Sequence, residues 1–111
     1  MSYYDKVFEV TKSIPKGRVS TYGAIADFLA LGSARMVGWA LNQCHVMTDI
    51  PAHRVVNSKG VLSGRLQFVT PTAMQERLEA EGVEIKNHKV QDFKDLFWHP
   101  SETLDQRKFG A

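Results

Sequence analysis

The sequence predicts one mainly α-helical domain with a small β-hairpin and a helix-turn-helix pair. Apolar residues recur at helical spacing in four segments, a glycine-containing turn joins the second segment to the third, and two β-prone pieces flank a turn-forming tetrapeptide. The length of 111 residues suits a single core. We therefore expect a domain body over about residues 3–100 and a polar C-terminal tail over residues 101–111.

The composition is that of an ordinary globular protein, with 43% hydrophobic residues, 23% charged residues and a formal net charge of +2. This mild positive charge does not by itself indicate a nucleic-acid partner. The single cysteine, Cys44, excludes an intramolecular disulfide and a zinc site built on a cysteine pair. No apolar run approaches about 18 residues, and no signal-peptide core is present. We expect a cytoplasmic protein (nucleoid-associated if bacterial) with no membrane contact, no metal and no cofactor.

Two helices are predicted in the N-terminal part of the chain. The first spans residues 4–14 and stops at a Pro-Lys-Gly turn. The second begins after a cap at Ser20 or Thr21 and runs to about Ala30. Its apolar positions recur at i, i+3, i+4 and i+7 from Tyr22, which is the period of a helix with one buried face.

A third helix is predicted over about residues 33–43, after a short turn that contains Gly32. Small residues line one of its faces, whereas Arg35, Trp39 and Asn42 share another. Two helices joined by a short turn, with an arginine on the outer face of the second, form the helix-turn-helix pattern used in DNA binding. Because many helical hairpins of this size bind nothing, the pattern alone leaves nucleic-acid binding open.

The second half of the chain carries the β-prone pieces. Residues 54–56 and 61–62 flank the Asn-Ser-Lys-Gly turn at 57–60, which predicts a hairpin. A fourth helix is predicted from Thr70 to Gly82, with a proline in its first turn and a glycine at its end. The apolar cluster at residues 93–98 is expected to dock on the body of the domain.

The stretch IPAHRVV at residues 50–56 places a histidine and an arginine between residues that favour burial. His53 suits either a general base or hydrogen-bonding partner at a site, or a structural role in which its ring satisfies buried backbone groups. Arg54 is better explained as a structural clamp on carbonyls or a carboxylate. Cys44, beside His45, is a candidate nucleophile, although a small buried thiol is the commoner role of such a residue.

Basic residues fall in the predicted turns and on the outer face of the third helix. Tyr22 stands at the start of the second helix, where backbone N–H groups can meet a phosphate. Arginines with aromatic neighbours suit a polyanion whose bases can stack, and the alternative is an ordinary solvated face. The basic positions are Lys16, Arg18, Arg35, Lys59 and Arg65.

Four motifs together resemble the DNA-binding domain of the O6-alkylguanine-DNA alkyltransferases. They are STYGAIA at residues 20–26, ARMVGWAL at 34–41, IPAHRVV at 50–56 and LEAEG at 78–82. Their order and spacing match that family over about residues 3–85. The resemblance implies a winged-helix-like helix-turn-helix domain that binds double-stranded DNA as a monomer.

Position 52 distinguishes this chain from active members of that family, in which the third motif reads Pro-Cys-His-Arg. There the cysteine accepts the alkyl group from guanine O6, assisted by the histidine and by a glutamate that corresponds to Glu81. Here the position is Ala52, which cannot form a thiolate. The resemblance thus implies a non-enzymatic alkyltransferase-like protein that keeps His53 and Glu81 without a nucleophile. Many such proteins carry tryptophan at this position, and Arg65 matches their lesion-sensing arginine.

The resemblance also implies how DNA containing O6-alkylguanine is bound. The helix-turn-helix would enter the minor groove, Arg35 would replace the flipped nucleotide in the base stack, and Tyr22 would press on a phosphate. The implied DNA-contacting residues are Thr21, Tyr22, Ser33, Ala34, Arg35 and Trp39. The implied lesion pocket consists of Pro51, Ala52, His53, Val55, Arg65 and Trp98. The bound lesion would then be handed to nucleotide excision repair proteins.

The sequence leaves two alternatives open. One is an active methylated-DNA–protein-cysteine S-methyltransferase that uses Cys44, although this residue falls where active enzymes usually carry an asparagine. The other is a helix-turn-helix regulator that recognises a particular sequence of undamaged DNA.

Overall fold

The computed structural model describes residues 2–44 and 49–110. Short strands and 3₁₀ segments accompany the helices in this part of the chain, and the mainly helical fold class predicted from the sequence is confirmed. The helices are α1 (Tyr3–Lys12), α2 (Tyr22–Phe28), α3 (Ala34–Leu41), α4 (Ala73–Ala80) and α5 (Phe93–Leu96). The strands are β1 (Ser20–Thr21), β2 (Val55–Val56), β3 (Ile85–Lys86) and β4 (Lys89–Val90).

Helix α1 starts at a capping box and packs against α3. The Ser2 hydroxyl accepts a hydrogen bond from the backbone N–H of Asp5 at 3.3 Å, and the Asp5 carboxylate accepts one from the backbone N–H of Ser2, also at 3.3 Å. Val7 and Val10 on its inner face are fully buried. None of the helices in the described residues is long and apolar enough to span a membrane.

The predicted helix-turn-helix pair is formed by α2 and α3. Thr21 caps α2 by accepting a hydrogen bond from the backbone N–H of Ala24 at 3.0 Å. The helix ends because Ala30 adopts a left-handed conformation, with φ of 56°, and Leu31 donates its N–H to the Ala26 carbonyl at 2.9 Å. This turn directs the chain into α3.

The hairpin lies elsewhere than predicted. Strand β2 pairs in parallel with β1, with Ser20 opposite Val55, and not with residues 61–62. The turn at 57–60 does form, since the backbone N–H of Asn57 donates to the Val61 carbonyl at 3.1 Å. Val61 then forms a bridge with β4, whose hairpin with β3 turns through Asn87 and His88 at positive φ.

The late apolar segment docks on the body as predicted. The backbone N–H of Trp98 donates to the Val19 carbonyl at 2.7 Å, and the Trp98 side chain is only 1% exposed. Two residues of the predicted polar tail also contact α2. Gln106 Nε2 donates to the Phe28 carbonyl at 2.7 Å, and the Phe109 ring meets the Phe28 ring edge-on at 5.5 Å between centroids.

Candidate functional site

The IPAHRVV stretch forms a hydrogen-bonded network with the C-terminal end of α4. Residues Ala52–Arg54 make a 3₁₀ turn directly before β2, and His53 Nε2 lies 2.9 Å from Glu81 Oε2. Arg54 donates to both oxygens of the same carboxylate, from Nε at 3.0 Å and from Nη2 at 2.7 Å. Its Nη1 donates to the Ile14 carbonyl at 2.8 Å. The clamp predicted for Arg54 is therefore confirmed.

The network fixes the charges of its members. Burial alone raises the pKa of Glu81, but the hydrogen bonds from Arg54 and His53 and the charge of Arg54 outweigh it and lower this pKa to about 2. Burial is also the main cause that lowers the pKa of His53, whereas the hydrogen bond with Glu81 and the charge of Glu81 raise it. Because the ionised Glu81 carboxylate can only accept, His53 donates its Nε2 proton to it.

A cavity of about 590 Å³ lies in front of this network, and Pro51, Ala52 and His53 form one of its walls. This volume is within the range of pockets that hold small organic ligands. Ala52 presents only a methyl group to it. The lining also includes Tyr22 and residues between positions 64 and 69.

Tyr22, at the start of α2, connects the helix-turn-helix to the segment around Gly64. Its hydroxyl lies so close to Gly64 that a Cβ atom at this glycine would approach it to 2.7 Å. Burial raises the pKa of the Tyr22 phenol, while a hydrogen bond with Ser63 works in the opposite direction. The phenol is therefore protonated and packed in the cavity wall, a contact with the 63–64 segment that the sequence did not indicate.

The outer face of α3 presents its side chains to solvent. Ser33, Ala34 and Arg35 are exposed at the start of the helix, and Trp39 is 51% exposed one turn later. An arginine and an aromatic ring thus project together from the second helix of the pair. Thr21 differs from this predicted set, because it is buried and its hydroxyl is occupied in capping α2.

Three residues of the predicted pocket do not line the cavity. Val55 is fully buried in β2, paired with β1, and Trp98 is buried in the core around α1, α2 and α3. The prediction that Val55 and Trp98 line the pocket is therefore corrected, because both residues belong to the core. Arg65 lies in a 3₁₀ segment beside the cavity, where its Nη1 donates to the Leu62 carbonyl at 3.1 Å.

Comparison with known proteins identifies the family. A sequence model of the DNA-binding domain of 6-O-methylguanine DNA methyltransferase matches residues 2–83. The chain belongs to this family. It is 40% identical over 103 residues to alkyltransferase-like protein 1 of Schizosaccharomyces pombe, covering 88% of this chain and 95% of that protein. A DNA base-flipping protein of Vibrio parahaemolyticus is 38% identical over 96 residues, covering 86% of this chain and 94% of that protein.

Solved structures show the same similarity. S. pombe Atl1 in complex with damaged DNA containing O6-carboxymethylguanine superposes with a TM-score of 0.75 at 37% identity, covering 86% of this chain and 94% of that one. Mycobacterium tuberculosis OGT in complex with DNA gives a TM-score of 0.63 at 32% identity, covering 73% of this chain and 50% of that one. The predicted resemblance to alkyltransferase-like proteins is confirmed.

Cys44 lines the cavity, yet its environment is that of an unreactive thiol. The side chain is 6% exposed, and its Sγ donates to the Leu41 carbonyl at 2.9 Å. Burial raises the pKa of the thiol, which disfavours the nucleophilic thiolate. His45, its proposed partner, lies outside the described residues. Within residues 2–44 and 49–110, no three histidine, cysteine or acidic side chains gather into a metal-binding group.

The cavity also contains residues that the sequence did not single out. Lys12 and Asp49 form an ion pair of 3.2 Å on one wall. Phe68 and Arg77 lie on another, with the guanidinium carbon 5.4 Å from the ring centroid. The spacing of Arg77 four residues before Glu81 could have indicated its position, since such residues share a helix face.

Proposed function

We propose that this protein binds double-stranded DNA that contains O6-alkylguanine and rotates the modified nucleotide into the cavity beside Ala52. The alkyl group stays on the guanine. The observation that carries this proposal is a cavity of about 590 Å³ with Ala52 in its lining, the residue at which the resemblance implies the family's alkyl acceptor. The names of the similar proteins, and the damaged DNA bound by S. pombe Atl1, support the same class of ligand.

The absence of transfer follows from the side chains around the cavity. Alkyl transfer needs a thiolate that attacks the alkyl carbon and releases guanine. Ala52 has no such atom, and the buried Cys44 thiol stays protonated and bonded to a carbonyl. His53 and Glu81 keep the geometry of a proton-handling pair, but here they hold the cavity wall in place.

The DNA-facing side of the proposal rests on α3. Arg35 and Trp39 project from it into solvent, so they are free to enter a groove. Flipping a nucleotide costs a few kcal/mol and costs less for a lesion that pairs poorly. Insertion of the Arg35 side chain into the vacated position offsets part of this cost. Arg65 would exchange its bond with the Leu62 carbonyl for a contact with the modified base.

Because the lesion is not repaired in this scheme, the bound and distorted duplex acts as a signal. We propose nucleotide excision repair proteins as its readers, since a flipped nucleotide marks the damaged strand. The protein would act as a monomer, with one helix-turn-helix and one cavity for each lesion.

A binding assay combined with a transfer assay tests the proposal. Duplexes with one O6-methylguanine carrying a tritiated methyl group are compared with undamaged duplexes of the same sequence. We expect tighter binding of the lesion duplex and no tritium on the protein. Tritium on the wild-type protein that disappears in Cys44→Ser would establish the transferase alternative.

The same duplexes separate the proposal from sequence-specific regulation. A regulator would bind lesion-bearing and undamaged duplexes equally and would respond strongly to changes in the surrounding base sequence. The proposed function instead requires a large difference in affinity between lesion-bearing and undamaged duplexes, and a small response to the surrounding base sequence.

A further inference from the structure

Arg77 is the one arginine or lysine lining the cavity that has no acidic partner among the described residues. Lys12 is paired with Asp49 at 3.2 Å, and Arg54 is paired with Glu81 at 2.7 Å. Within each of these two pairs the positive and negative formal charges cancel. The side chain of Arg77 therefore leaves the cavity with an uncompensated positive charge.

The position of Arg77 is set by α4. It precedes Glu81 by four residues, so the two lie on the same side of the helix and about 6 Å apart along its axis. Glu81 in turn holds His53, the neighbour of Ala52, at 2.9 Å. Burial and then the charge of Arg54 are the larger causes that lower the pKa of His53, and the charge of Arg77 adds to them, which agrees with this closeness.

Arg77 is an exposed residue whose guanidinium also lies over an aromatic ring. Its central carbon lies 5.4 Å from the centroid of Phe68, a residue of the same cavity wall. Stacking on one face leaves the N–H groups at the edge of the guanidinium available to an acceptor. A carboxylate is the acceptor that matches this edge best, because it can accept two parallel hydrogen bonds.

Building on the proposed function, we propose that Arg77 makes the cavity prefer O6-alkyl groups that carry a carboxylate over neutral groups of the same size. The small side chain of Ala52 leaves room for such a substituent in the cavity that Arg77 also lines. Arg77 is then a specificity-determining residue for the lesion, distinct from Arg65, whose proposed contact is with the modified base.

The test compares duplexes containing O6-carboxymethylguanine, its neutral isostere O6-carbamoylmethylguanine, O6-methylguanine or unmodified guanine. For the wild-type protein we expect the Kd of the carboxymethyl duplex to be about fivefold below that of the carbamoylmethyl duplex. Arg77→Gln should bring this ratio to about one and leave O6-methylguanine binding within about twofold. Arg77→Lys should retain part of the preference. Lys94→Gln, which removes an exposed charge outside the cavity, should retain all of it.

Failure of this inference is distinguishable from failure of the proposed function. Equal affinities of the wild-type protein for the charged and neutral isosteres, both tighter than for undamaged DNA, would overturn the role of Arg77 alone. A preference that survives Arg77→Gln but disappears in Arg65→Gln would also overturn it. No discrimination between any lesion duplex and undamaged DNA would overturn the proposed function itself.

Discussion

The Arg54 guanidinium and the Glu81 carboxylate meet in a two-point hydrogen bond, with N–O distances of 3.0 and 2.7 Å. Both side chains are largely buried, with exposures of 15% and 11%. The pair joins the 3₁₀ turn at Ala52 to the end of α4, and a further bond from Arg54 reaches the Ile14 carbonyl after α1. The cavity wall is thus anchored to two distant parts of the chain by one arginine.

Replacing Glu81 by glutamine should destabilise the protein, because it leaves a buried guanidinium without its counter-charge. Loss of one partner of a buried pair typically costs about 3 kcal/mol. Denaturant unfolding followed by circular dichroism measures this change. Glu84→Gln, which alters an exposed pair with Lys86, is the matched control and should change stability by less than about 1 kcal/mol. Equal effects of the two substitutions would show that the buried pair has no special role.

The Glu81 carboxylate should also make the stability of the protein depend on pH, with a loss of stability in acid. Its pKa is lowered from an ordinary 4.5 to about 2 in the folded protein, so its contribution is complete above pH 4.5 and declines as the pH falls towards 2. The loss from this group should reach about 3 kcal/mol. The lowered pKa of His53 acts in the same direction, beginning below its ordinary value of 6.5. Unfolding free energies measured across this range should fall less steeply in Glu81→Gln than in the wild type.

Gly64 should be required for the packing of Tyr22 in the cavity wall. In Gly64→Ala the new Cβ would stand 2.7 Å from the Tyr22 hydroxyl, so the ring must move, at a cost of about 1–3 kcal/mol. Adding Tyr22→Phe removes the clashing oxygen and should recover part of this loss in a double-mutant cycle. Gly23→Ala, where nothing lies within 4 Å of the added carbon, is the control. No coupling between positions 22 and 64 would contradict the observed contact.

Arg35 and Arg65 should affect DNA binding in different ways. Arg35→Ala is expected to weaken binding to lesion-bearing and undamaged duplexes alike, because the arginine cation is attracted to the phosphates of either duplex. Arg65→Ala should mainly reduce the preference for the lesion. Titrations at several salt concentrations measure both, and affinity should fall with salt because phosphate contacts release counterions. Unchanged affinity in Arg35→Ala would rule out insertion by this side chain.

Elements fixed by local patterns could be predicted from the sequence. The apolar period of the first three helices and the Thr21 cap of α2 depend on residues within a few positions of one another. The pairing of β2 could not be predicted in this way. The Asn57 turn favours a local hairpin, whereas the partner of Val55 is Ser20, far away in sequence. Pairing with a distant strand leaves no signature within either segment.

The site was predictable where it coincides with a motif and not where it depends on packing. Pro51, Ala52 and His53, which the motif implied for the lesion pocket, line the cavity, and their contact with a lesion stays a prediction. The sequence alone does not distinguish Val55 and Trp98 from residues that line a pocket. In the folded chain both are buried in the core. Arg77 was not singled out because α4 carries many charged residues, and only the folded chain shows that this one lines the cavity.

The proposed function requires that a modified guanine enters the cavity reversibly and leaves unchanged. It is tested most directly by the fluorescence of 2-aminopurine placed beside O6-methylguanine, because unstacking by a flipped neighbour raises the signal. We predict a rise on binding, and a return to the starting signal when excess unlabelled lesion duplex is added. The absence of a rise would contradict flipping, and a rise that competitor cannot reverse would contradict reversible, non-covalent binding.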